Sequence, residues 1–307
     1  MSAFVGIDVS KASLDVAVLG DAKVRQFDNT VAGLKKLATA LRSLSPTLII
    51  LEATGGYEVA ALDALHAAGL PTARVNPRQA RDFAKATGQL AKTDRLDAHC
   101  LARMASAVPL TPYCPAPAWQ RRLGEWQHRR HQLVEMLGSE RQRLAKLNDS
   151  TLRRLAEKHL KLIQTELRTL DDGIARQLKQ QPSLAPTRTL KGVGQVMQAT
   201  LTCSLPELGR LPGKAISKLV GVAPMARDSG QWRGQRAVWG GRADVRKTLY
   251  MAALTAIRHE PRLRDFYRGL RERGKPGKVA IVAVMRKMII ILNARMRDAM
   301  AQAQAPG

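Results

Sequence analysis

Three cysteines in 307 residues, none within a CxxC pair, leave this chain without a disulfide framework or a zinc ribbon. Cys100, Cys114 and Cys203 stand far apart in the sequence, as suits a reducing compartment. A long apolar run is also missing. The most apolar late stretch, Val279 to Leu292, is broken by Arg286 and Lys287, too short and too charged to span a membrane. The N-terminus reaches Asp8 with no basic region ahead of it, which is not how a signal peptide is built. These absences predict a soluble protein of the cytoplasm, with no membrane partner. Acids are scarce too: 25 Asp and Glu face 50 Lys and Arg, a formal net charge of +25 and a pI near 10.9. An excess of that size asks for a polyanion.

What is present divides unevenly. Residues 1–117 hold 13 Lys and Arg against 10 Asp and Glu, so the front of the chain is nearly neutral. The rest holds 37 against 15, and reads as a basic body behind a front whose acids sit in tight local settings. That division suits a metal-dependent site followed by a nucleic-acid-gripping region.

The hydrophobic pattern gives the organisation. Phe4–Val9 and Leu14–Leu19 are short apolar or alternating runs joined by the turn Ser10-Lys-Ala-Ser, and Val24–Asp28 predicts a third strand. Helical spacing covers 30–44; Leu48–Leu51 is a buried-strand run ending at Glu52; a helix through Val59, Leu62 and Leu65 precedes a strand at Thr72–Val75. A three-strand meander followed by alternating helices and strands is the order of an α/β ribonuclease-H-like domain, expected over residues 1–117. Pro109, Pro112, Pro115 and Pro117 mark a linker. Residues 118–182 predict two long helices of a coiled-coil hairpin, broken at Asn148-Asp-Ser-Thr151. From 183 to 307 the pattern is a mainly α-helical domain with an irregular Gly- and Arg-rich loop from Asp228 to Gly241 and two final helices separated by the basic turn Arg271–Lys278.

Within this frame four acids stand out. Asp8 sits inside an apolar strand, where an unpaired carboxylate is costly. Glu52 ends a second apolar strand, and Asp94 and Asp97 are three residues apart, which puts both carboxylates on one face if the segment opens a helix. If the strands of Asp8 and Glu52 are neighbours, the four can converge, and divalent cations, Mg²⁺ or Mn²⁺, would relieve their repulsion. Two such ions could clamp a phosphodiester. Taken singly, each acid also fits a helix N-terminus, a turn or an ion pair. Lys191, Gly192 and Gly194 form a glycine hairpin between helices; it would offer backbone N–H groups to phosphate, or serve as a plain turn.

Gly6-Ile-Asp-Val-Ser-Lys11, Leu51-Glu-Ala-Thr-Gly-Gly-Tyr57, Val75-Asn-Pro77 and Lys92-Thr-Asp-Arg-Leu-Asp97 resemble the DEDD transposases of the insertion-sequence-110 family, whose catalytic domain is similar to the Holliday-junction resolvase RuvC. The family's four acids match Asp8, Glu52, Asp94 and Asp97. The hairpin Lys191–Gly194, then Gly221-Val-Ala-Pro224 and Asp228-Ser-Gly230, carry the resemblance into the C-terminal half. It implies that Ser229 is a nucleophile joined covalently to DNA, an idea that turn chemistry alone would not have suggested. Arg227, Arg233, Arg236, Arg242 and Arg246 are then the candidates for stabilising the reacting phosphate. A lysine-glycine pair frequent in the family after the serine is replaced here by Ala237–Arg242. The resemblance further implies donor and target DNA as partners, a structured non-coding guide RNA, a homo-oligomer (dimer or tetramer), and work beside a bacterial nucleoid. The alternative is a RuvC-like, metal-dependent structure-specific nuclease with no serine nucleophile. An actin-like ATPase would need a second phosphate-binding half that residues 118–307 lack, and an RNA-binding scaffold would not need the acids.

Overall fold

The computed structural model describes residues 3–88, 94–225, 228–229, 232–233 and 236–304. The chain forms two compact units, Met1–Ala116 and Pro117–Gly307.

The first unit is built on one five-stranded sheet. Strands β1 (Ala3–Val9), β2 (Ser13–Val18) and β3 (Val24–Asp28) form an antiparallel meander; β4 (Pro46–Glu52) and β5 (Thr72–Val75) add in parallel on the other side of β1, in the order β3-β2-β1-β4-β5. That mixed order is the ribonuclease-H-like topology. Helices α1 (Val31–Arg42) and α2 (Val59–Ala67) bury one sheet face through Val5, Ile7, Leu14, Ile49 and Leu51 against Leu34, Leu37, Leu62 and Leu65. Thr30 caps α1 by accepting from the Gly33 amide. On the opposite face α3 (Pro77–Ala86) and α4 (Asp94–Ala107) pack Ala80, Leu101 and Met104 on Ile50, Ala73 and Val75. The sequence pattern does not disclose α3: Asn76-Pro77 reads as a strand stop, yet Asn76 caps the helix and Pro77 occupies its first turn, where a missing N–H costs nothing.

The second unit begins with α5 (Ala118–Leu144) and α6 (Ser150–Lys179), separated where the sequence breaks and with Asp149 accepting from the Leu152 amide as N-cap. Gly173 of α6 lies directly under the Trp126 ring of α5, so the two helices meet closely. A short helix α7 (Ala185–Arg188) follows, then α8 (Gln195–Ser204), α9 (Gly213–Val220), α10 (Ala243–His259), α11 (Pro261–Glu272) and α12 (Gly277–Gln304). Their core gathers Met197, Ile216, Val220, Leu249, Ala253, Leu263, Met288 and Leu292. Two features depart from the expectation. The Asp228–Gly241 segment is not wholly irregular, since β6 (Asp228–Ser229) pairs antiparallel with β7 (Trp232–Arg233). Helix α11 is the second addition, again begun by a proline in its first turn. Among the described residues no helix is long and apolar enough to cross a membrane.

Candidate active site

Strand alternation decides where the acids point. Val5, Ile7 and Val9 face α1 and α2, so Phe4, Gly6 and Asp8 face α3 and α4. On β4, Ile49 and Leu51 face α1 and α2, and Ile50 and Glu52 the other way. The parallel register pairs Ile7 with Leu51, which makes Asp8 and Glu52 the next neighbours at the C-terminal ends of adjacent strands. Ligands and catalytic groups gather at such strand ends because two loops diverge there.

Gly6 explains how α4 reaches this edge. A Cβ on Gly6 would overlap the Ala98 carbonyl and the Ala102 amide of α4. With only a hydrogen in that place, α4 lies flush on β1, one pleat from Asp8. Asp97 is half-buried on this helix. Cys100, one turn further on, reports both acids: burial pushes its thiol up, Asp97 pushes it further, Arg103 opposes, and Glu52 adds to the rise. The side chain of Asp94 lies outside the described residues, though its backbone opens α4.

Three groups escaped the sequence reading. Asp15 pairs directly with Asp8 across the β1–β2 ladder, so its carboxylate shares the α4 face, and Gln26 Nε2 donates to it at 3.0 Å. Two like charges opposite one another are unfavourable unless solvated or bonded; finding this pair required the register. Asn29 Nδ2 donates to the Ser10 carbonyl at 3.0 Å and the Tyr57 carbonyl at 3.2 Å, binding the loop after Asp8 to the loop after Glu52. Its Oδ1 is buried with no hydrogen-bond partner. Glu58, only 3% exposed, accepts from the Thr54 and Gly56 amides at 3.0 and 2.9 Å and stands 3.6 Å from Arg74, fixing the turn that follows Glu52. A carboxylate in a Gly-Gly-Tyr-Glu run carries no sign of this in the sequence.

All-carboxylate donors suit a hard divalent ion. Among the described residues, no three acid, His or Cys side chains gather closely enough to hold one, so the donor type fits a divalent cation while the described residues alone do not close a site.

In the second unit, Ser229 lies in β6, and its side chain and those of Asp228 and Arg233 are outside the described residues; Arg227 lies wholly outside them. The stem of this loop is well defined. Gly221 ends α9 at φ +78°, and a Cβ there would strike the Gly240 carbonyl; Gly241 stands against the Gly221 backbone in turn. The Arg242 amide donates to Leu219 at 3.0 Å and the Met225 amide to Ala237 at 2.9 Å. Arg242 grips Glu207 with both guanidinium nitrogens at 2.6 Å and the Ser204 carbonyl at 2.7 Å. Burial would raise the Glu207 carboxyl, but hydrogen bonds from Arg242 and its charge hold it below the usual range. Arg246 donates to the Gly240 carbonyl. Both arginines thus brace the stem, whereas Arg236 is exposed. Lys191 and Gly194 are exposed; Gly192 packs on Ala252 and Ala256 of α10. Gly192 and Gly194 border a cleft of about 830 Å³ shared with His128, His131 and Lys247.

A transposase family model, the DEDD transposases of IS110, matches residues 5–165. The model of the transposase IS116/IS110/IS902 family matches residues 186–268. The pilin gene-inverting protein of Moraxella bovis is 24% identical over 323 residues, covering 96% of both chains. An insertion element IS110 protein of 43.6 kDa from Streptomyces coelicolor is 26% identical over 141 residues, covering 45% of this chain and 35% of that protein. The solved structure of T. thermophilus RuvC in complex with a Holliday junction substrate aligns with 37% of this chain and 100% of its own, at 15% identity and a TM-score of 0.28.

Proposed function

The chain belongs to the IS110 family of DEDD transposases, enzymes acting on DNA, and on that premise we propose that it cuts and rejoins DNA as the recombinase of an insertion sequence. The observation that carries this reading is the placement of Asp8 and Glu52 at the ends of adjacent parallel strands, on the sheet face covered by α4, the helix that Gly6 seats and that carries Asp97.

Asp8, Glu52, Asp94 and Asp97 would hold divalent metal. Bound there, Mg²⁺ would polarise a phosphodiester and lower the cost of charge on its oxygens. Asn29 and Glu58 keep the loops after Asp8 and Glu52 in fixed relation, so the acids need not reorganise during the reaction. Ser229 supplies the nucleophile: its Oγ bonds to phosphorus, one ester oxygen leaves as a strand-end hydroxyl, and the serine proton is lost. A hydroxyl of another strand then displaces Oγ, which regains a proton, so the number of phosphodiesters is unchanged and no energy source is consumed. Arg227, Arg233 and Arg236 are the loop arginines left to contact the phosphate, while Lys191 and the Gly192–Gly194 turn grip the backbone of nucleic acid. Target choice falls to a structured guide RNA, as the family resemblance implies. The active form is a homo-oligomer, in the bacterial cytoplasm beside the nucleoid.

Ser229→Ala tests the reading. With donor and target DNA, guide RNA and Mg²⁺, the wild-type protein should form a covalent protein–DNA adduct resistant to denaturant, and the variant none. Undiminished strand cleavage by the variant would instead favour the nuclease that uses metal-activated water.

A further inference from the structure

The loop and the glycine hairpin leave unused the strongest concentration of charge in the second unit. Between positions 258 and 278, Arg258, Arg262, Arg268, Arg271, Arg273, Lys275 and Lys278 are all exposed, and Arg264 is half-buried beside them. Only Glu260, Asp265 and Glu272 oppose them in sequence, and among the described residues no carboxylate lies within ion-pair distance of any of these eight cations. Arg264, Arg268 and Arg271 follow the i, i+4, i+7 spacing of one helical stripe, while Leu263, Phe266 and Tyr267 turn toward the core.

Three of its side chains are tied to backbone. Arg264 donates to the Arg258 carbonyl at 2.7 Å, Arg271 to Lys275 at 2.6 Å and Arg273 to Gly269 at 2.9 Å. The turn closes with the Lys275 amide on Leu270 at 3.1 Å and the Gly274 amide on Arg271 at 2.9 Å, a helix-ending pair of bonds. Lys287 of α12 lies 4.3 Å from the centre of the Phe266 ring and pins α11 to α12. Lys275 and Lys278 flank the start of α12, whose first turn holds no acid. Cations at the positive end of a helix are unfavourable alone; an anion laid across them removes the conflict.

We propose that the α11 ridge and the α11–α12 turn form a second nucleic-acid site, one that holds the phosphate backbone of duplex DNA away from the reacting strand. A row of cations on a fixed helix and turn matches a regular row of phosphates, and Phe266 and Tyr267 pack against the core rather than standing out as platforms for unstacked bases. The proposal rests on the DNA-recombinase reading but not on Ser229.

The test is the triple variant Arg268→Ala, Lys275→Ala, Lys278→Ala, whose side chains make no hydrogen bond among the described residues. Its matched control, Arg154→Ala, Lys158→Ala, Lys161→Ala, removes the same charge from exposed positions on α6. Binding to a non-specific DNA duplex is measured across a salt series, with thermal melts to establish folding. The ridge variant should bind about tenfold or more weakly and lose roughly 2.7 from its log–log salt slope, about 0.9 for each phosphate contact, with the control near wild type. Equal losses in both variants would reduce the ridge to net charge and overturn the site. So would unchanged duplex binding, or a loss seen only with a structured RNA. Failure of Ser229→Ala to abolish the covalent adduct would overturn the nucleophile and leave this binding result standing.

Discussion

Glu58 shows how much one side chain can carry. Its single oxygen Oε2 serves two backbone amides of the turn after Glu52, and Glu58→Ala would leave both without this partner, a cost of about 1 kcal/mol for the half-buried Thr54 amide and less for the exposed Gly56 amide, which water can serve. The expected result is a lowered urea midpoint together with lost cleavage. Glu207 gives a pH signature. Its carboxyl is held below the usual range by Arg242 despite burial, so the folded state binds its proton less readily than the unfolded chain. That contribution is complete above the ordinary carboxylate range and disappears as pH falls through the lowered value. Glu207→Gln should therefore lower stability at neutral pH and flatten its decline in acid, as read by thermal melts from pH 7 to 3. The thiols sort by burial: Cys203 is pushed up to about 12, Cys100 is raised as well, and Cys114 is exposed. Native alkylation at pH 8 should label Cys114 alone, and labelling all three should require denaturant. At this scale the sequence was partly readable. Asp8, Glu52 and Asp97 stand in motifs, while Asp15 and Asn29 acquire meaning only from a strand register and a loop-to-loop bond that no local pattern encodes.

Elements were more legible than residues. The strands of the meander and the break between α5 and α6 follow from alternation and from an Asp N-cap, because both signals are local. The two helices not foreseen, α3 and α11, each start with proline in the first turn; a proline after a polar residue stops one element and starts the next with the same chemistry. The β6–β7 ladder is only two residues long on each side, too short to show a period. The α5–α6 pair supplies its own test. Gly173 is covered by the Trp126 ring, and Gly173→Leu must separate the helices or displace the indole. A loss of about 1–3 kcal/mol is expected from such overpacking, measured by chemical denaturation, with Gly138→Ala, where a Cβ meets open space, as the harmless comparison.

For the molecule as a whole, charge composition asks for a polyanionic partner, the sequence pattern reads as three segments, and the fold forms two compact units that meet at Ala116–Pro117, beside the last of the linker prolines. How the acids converge was not readable from composition, since it depends on which strands become neighbours. What one missing side chain permits is visible at Gly6: Gly6→Ala should unseat α4, abolish cleavage and leave duplex binding by the basic second unit within a few-fold of wild type. Loss of both would instead place the DNA grip in the first unit. The backbone junction of Gly221 with Gly240 and Gly241 carries a practical consequence. The helical body therefore fixes where the segment from Met225 to Ala237 starts and ends, so an engineer who keeps Ser229 and the loop arginines can alter its length without rewriting a helix behind it.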